Sequence, residues 1–96
     1  MFAKNISKKE MLANNLRYLR AKRGYTQQRV ADNLIITRGC YAKYEEGIAE
    51  PPLVTMQRIA HFYDISIDVL LQADLRKINP YGLNDLQKAL HILIDA

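Results

Sequence analysis

From Lys9 onward, apolar residues recur at spacings of three and four and no stretch of strict alternation interrupts them. That pattern predicts an all-α protein. Leu12, Leu16 and Leu19 form the buried stripe of a first helix, with Ser7 as its cap and Glu10, three residues later, as the capping-box partner. Gly24 ends it. Thr26 caps a short second helix that turns Val30, Ala31 and Leu34 inward, and Thr37 caps a third running through Tyr41 and Tyr44 to a stop at Gly47. The pair Pro51 and Pro52 forces an extended crossing before a fourth helix, whose inner side is predicted to hold Leu53, Met56, Ile59, Ala60 and Tyr63. Ser66, with Asp68 in the first turn, opens a fifth helix that ends near Gln72.

The segment from Asp74 to Gly82 contains Pro80 and Gly82 and reads as a linker. Beyond it, Asn84 caps a further helix with Gln87 at the capping-box position, and Leu86, Leu90, Leu93 and Ile94 fall on one face. The chain therefore divides into a Lys-rich arm (1–8), a bundle (9–73), a linker (74–83) and a C-terminal amphipathic helix (84–96). A short isolated helix does not offset its own ordering entropy in water, so that last stripe needs a partner surface. A second copy of the same helix, related by a two-fold axis, is the expected one.

Composition narrows the classes. Ninety-six residues suit one domain, and 49% hydrophobic with 25% charged residues is ordinary globular composition. No apolar run approaches the roughly 18 residues of a bilayer span, and no apolar stretch follows Lys4, Lys8 and Lys9 to make a secretory signal. No membrane partner is expected, and the cytoplasm is the expected compartment. The single cysteine, Cys40, cannot staple the fold; its helical angle points it toward Tyr41 and Tyr44 as a packed thiol. His61 and His91 have no acidic or cysteine neighbours at ligand spacing, and no acid–base pair or phosphate loop is visible. No enzyme activity, metal or cofactor is expected.

The net charge of +4 is unevenly spread, with ten basic and four acidic groups over residues 1–47 against four basic and six acidic ones over 48–96. A cationic half points to a polyanion, nucleic acid first and an anionic membrane surface second. Two short helices joined through only Ile35 and Ile36 cannot lie antiparallel, so they meet at a large angle, the helix-turn-helix arrangement. Ala31 is suitably small where they approach. In such a unit the second helix enters the major groove. At about 100° per residue, Arg38, Gly39, Ala42, Lys43 and Glu46 share one face of it, opposite Tyr41 and Tyr44.

Leu16-Arg17-Tyr18-Leu19-Arg20 before Gly24, Thr26-Gln27 with Val30-Ala31, and Tyr44-Glu45-Glu46-Gly47 before Glu50-Pro51 form an ordered set. Ile59-Ala60 and Ile65-Ser66-Ile67-Asp68 with Leu70-Leu71 complete it. From Leu16 to Leu71 the chain resembles the helix-turn-helix family of phage repressors and Cro-like or Xre-like bacterial regulators. The resemblance implies a five-helix repressor-like DNA-binding bundle, here with the additional C-terminal helix. It implies that Gln27 contacts phosphate, that Thr37, Arg38, Gly39, Ala42 and Lys43 lie at the DNA, and that Arg20 and Glu45 form an ion pair tying the first helix to the third. The chain departs from the family at Ile35 and Asp64, where glycine is usual, and at Glu46 and Glu50, which repel phosphate. Gly39 has no side chain with which to read a base.

These readings converge on a DNA-binding transcriptional regulator, a repressor acting as a homodimer on a two-fold related operator in double-stranded DNA. An antitoxin, or a bundle reserved for protein contacts, are the alternatives; a toxin or an antirepressor would be the protein partner.

Overall fold

The computed structural model describes residues 7–78, an all-helical arrangement in which six helices follow one another and no strand occurs among the described residues. They are α1 (Lys8–Arg23), α2 (Gln27–Leu34), α3 (Arg38–Glu45), α4 (Leu53–Tyr63), α5 (Ile67–Gln72) and α6 (Leu75–Ile78). Lys4 and the stripe Leu86, Leu90, Leu93 and Ile94 lie outside the described residues.

Four helices start on a hydroxyl. Ser7, Thr26, Thr37 and Ser66 accept hydrogen bonds from the backbone N–H of Glu10, Arg29, Cys40 and Val69 at 3.0–3.1 Å. Each satisfies one of the donors a helix start leaves open. Four helices stop alike. Gly24, Ile35, Gly47 and Asp64 take left-handed backbone (φ 69°, 61°, 75° and 56°), and the next residue's N–H reaches five residues back to the helix. That closure ties up the last carbonyls. The chain keeps it at Ile35 and Asp64, where an L side chain opposes the conformation by roughly 1–2 kcal/mol.

The core joins Leu12, Leu16 and Leu19 of α1 to Val30, Ala31 and Leu34 of α2, Tyr41 and Tyr44 of α3, Ile59 and Tyr63 of α4, and Leu70 of α5. On α4 the expected inner face is corrected at its start. Leu53 is 63% exposed, and Thr55, Ile59, Ala60 and Tyr63 are the buried set. Leu53 stands at the edge of that face, about 120° from Ile59 around the helix, and at the first position of α4.

The bundle also extends past Asp74, where a linker was expected. Leu75 is fully buried, and its N–H donates to Asn15 Oδ1 at 3.2 Å. The same buried Asn15 donates Nδ2 to the carbonyls of Leu70 (2.7 Å) and Ala73 (2.8 Å), so one side chain closes the end of α5 and the start of α6 against α1. Asp74 Oδ1 accepts from the Arg76 N–H at 3.2 Å and starts the helical turn. At the other end, Lys8 is the first residue of α1 and not part of an arm.

Candidate nucleic-acid interface

Leu34 ends α2, Ile35 to Thr37 make the turn, and Arg38 begins α3. The turn is short because Ile35 reverses the chain in left-handed backbone while Thr37 already caps the next helix. On α3, Tyr41, Tyr44 and Glu45 are buried, while Arg38, Gly39, Lys43 and Glu46 are exposed and Ala42 is half-buried. Thr37 is exposed at the cap. The outer face thus brings together five of the six residues expected at the DNA. Glu46 lies beside them and Glu50 is exposed in the loop that follows, so the cationic patch has an acidic border.

What holds α3 at its angle is a polar network. Arg20 of α1 engages Glu45 through Nε to Oε2 (2.6 Å) and through Nη2 to Oε1 (3.0 Å). Its third nitrogen, Nη1, donates to the Tyr25 carbonyl at 3.1 Å. Glu45 is only 3% exposed, yet its carboxylate has a partner on each oxygen, as a buried charge requires. Arg17 Nη1 donates to the Glu45 backbone carbonyl, a second tie from α1 to the end of α3.

Gln27, the sixth expected DNA residue, belongs to this network. Its Nε2 donates to Glu45 Oε1 at 3.0 Å, and the side chain is half-buried at the start of α2. The spacing of residues along the chain gave no hint of that contact, because the two are eighteen positions apart on different helices.

The network shifts protonation. Burial pushes the Glu45 carboxyl upward, but Arg20, the neighbouring Tyr41 hydroxyl and Gln27 together bring it below its ordinary 4.5. The hydrogen bond to Glu45 raises Arg20 in turn. Tyr41 is raised by burial and by the adjoining carboxylate, beside which its hydroxyl lies without closing a full hydrogen bond. Cys40 is half-buried, with its thiol 3.4 Å from the Tyr44 hydroxyl; burial, then that contact, push Tyr44 up to about 12. Among the described residues, no cluster of His, Cys, Asp and Glu could hold a metal ion, and no helix is long and apolar enough to cross a membrane.

An ion-paired bundle that presents a short exposed helix after a three-residue turn defines a class, and the chain belongs to it: the helix-turn-helix family matches residues 16–70. Over 62 residues it is 45% identical to the SPbeta prophage-derived uncharacterized HTH-type transcriptional regulator YonR of Bacillus subtilis (65% of this chain, 57% of YonR). It is 30% identical over 98 residues to the cryptic phage CTXphi transcriptional repressor RstR of Vibrio cholerae (90% of this chain, 86% of RstR). The chain spans a little over half the length of the Bacillus relatives it matches first. The solved structure of the clp gene regulator ClgR from Corynebacterium glutamicum shares the fold, with a TM-score of 0.67 over 96% of this chain and 95% of that one at 21% identity.

Proposed function

We propose that this chain is a sequence-specific DNA-binding transcriptional regulator that acts as a repressor, as a homodimer on a two-fold related operator. The observation that carries the reading is the outer face of α3: exposed Arg38 and Lys43 on a helix whose opposite side is locked to α1 through Arg20 and Glu45. A helix held so firmly by one side presents the other in a fixed pose, as base reading requires. In this reading Arg38 reaches a base edge, guanine O6 and N7 being the natural bidentate match, and Lys43 reaches a base or phosphate. Thr37 and the α2 start at Gln27 lie against phosphate, where helix N-termini are complementary to anions. Likeness to RstR favours repression over activation. The stripe Leu86, Leu90, Leu93 and Ile94 supplies the dimer contact, and the cytoplasm is the compartment that gives access to DNA.

The test is gel-shift binding to random duplex DNA across a salt series, followed by selection from a random duplex library. Salt-sensitive binding and an enriched inverted repeat are expected. A chain that ignores duplex DNA at low salt would not be a DNA reader.

A further inference from the structure

Of the three described glycines, two have a backbone reason: Gly24 and Gly47 stand at φ 69° and 75°. Gly39 has none. It lies inside α3, outside the left-handed region, and a Cβ built on it meets nothing within 4 Å. Gly39 is the second residue of the helix, where alanine would fit the space and is the better helix former. Neither packing nor conformation inside the protein accounts for it, so the reason lies outside the protein, on the surface Gly39 faces. That surface is the outer face of α3. Gly39 and Ala42 stand three residues apart on it, with exposed Arg38 four residues before Ala42 and exposed Lys43 four residues after Gly39. The result is a notch almost without side chains between two long cations.

We propose that Gly39 is a specificity-determining position that works by having no side chain. It lets α3 seat its backbone against one base pair, with the notch between Gly39 and Ala42 closing on a thymine methyl group while Arg38 and Lys43 reach past on either side. Apolar contact is how proteins recognise that methyl, the only apolar group on a base edge in the major groove. A side chain at position 39 would hold the helix away and withdraw Arg38 from its base. The proposal rests on the DNA reading above.

The test uses the full chain and two probes: a duplex enriched from a random library by the unsubstituted protein, and a random duplex of equal length. Gly39→Ala is expected to melt at the parent's temperature or slightly above it, because alanine is the better helix former and position 39 lies in the first turn. It should bind the random duplex within about twofold and the enriched duplex about tenfold or more weakly, the size of a lost base contact. Replacing each thymine of the enriched duplex in turn with deoxyuridine removes one methyl at a time. One base pair per half-site should weaken binding by about threefold or more in the unsubstituted protein, and not in Gly39→Ala.

Undiminished binding of the enriched duplex by Gly39→Ala, or indifference to every deoxyuridine, overturns the notch and leaves the DNA reading standing. Equal losses on both probes assign Gly39 to the phosphate backbone and overturn it as well. A lower melting temperature for Gly39→Ala would show that the glycine serves the fold. Failure of the unsubstituted chain to bind either probe brings down both readings.

Discussion

Arg20 grips Glu45 with two nitrogens, one on each carboxylate oxygen, and so fastens the first helix to the last turn of the third. The acid is almost wholly buried while the guanidinium keeps 24% of its exposure. Removing Arg20 strands a carboxylate that keeps the Gln27 amide and the adjoining Tyr41 hydroxyl but no cation. Arg20→Ala should destabilise the fold by about 3 kcal/mol, the lower end for a broken buried pair because some water already reaches the arginine. For a domain of this size the melting temperature should fall by more than about 10 °C. Thermal melts decide it, and a loss within 1–2 °C would demote the pair to a surface contact.

The same carboxylate makes stability depend on pH. Its folded pKa lies below the ordinary 4.5, so the unfolded chain takes up the proton first as pH falls. The stabilisation is therefore fully present above about pH 4.5 and lost as pH drops through the folded value. Arg20 remains charged throughout this window and adds no slope of its own. Melting temperatures measured from pH 3 to 7 should separate the parent from Glu45→Gln at neutral pH and converge at the acid end. Parallel curves would mean that another group controls acid unfolding.

Ile35 holds φ 61° while 74% exposed, so it combines backbone strain with little packing. Glycine at that position would relieve roughly 1–2 kcal/mol of strain and return about 0.4–1 kcal/mol through the freer unfolded chain. Ile35→Gly should therefore gain about 0.5–1 kcal/mol, read as a melting temperature several degrees higher. A drop would show that the isoleucine packs or caps in a way its exposure does not suggest.

The turn illustrates what the chain discloses locally. Ser7, Thr26, Thr37 and Ser66 could be placed at helix starts because a cap acts within three residues, and the break at Ile35 could be placed because the pattern of buried residues shifts there. The Arg20–Glu45 pair was visible only through family resemblance, since no rule of spacing joins residues 25 apart. Asn15 carried no signal at all: a polar residue beside Asn14 on a helix looks solvated, and its partners Leu70, Ala73 and Leu75 lie 55–60 positions on. Leu75 was lost with it, because one apolar residue amid Asp74, Arg76 and Lys77 has no periodicity to declare it buried.

Arg38 and Gln27 should separate by the kind of binding each supports. Arg38 is exposed and makes no hydrogen bond or ion pair among the described residues, so Arg38→Ala should leave melting unchanged, lower affinity for the enriched duplex by about 1–3 kcal/mol and relax preference at one base pair. Gln27→Ala removes a donor from Glu45 and should lower stability by about 1 kcal/mol while weakening all sequences evenly. Competition assays with enriched and random duplexes distinguish the two. Equal loss on both duplexes for Arg38→Ala would assign that side chain to phosphate.

Assembly is tested by truncation, and the place to cut follows from Leu75. Ending the chain at Asp74 would remove a fully buried residue and leave Asn15 without the N–H it accepts, so a loss of binding would report damage to the bundle. Ending it at Ile78 keeps all six helices and removes only the segment that carries Leu86, Leu90, Leu93 and Ile94. If that segment joins two copies, the shortened chain should melt at the parent's temperature at low micromolar concentration or somewhat below it, in proportion to the lost association. Its mass in solution should fall to that of one shortened chain. Affinity for the enriched inverted repeat should fall on the order of 100-fold or more, because the second half-site is no longer held at high effective concentration, while affinity for a single half-site should stay the same. A shortened chain that stays dimeric and binds the full repeat undiminished would move the dimer contact onto the bundle itself.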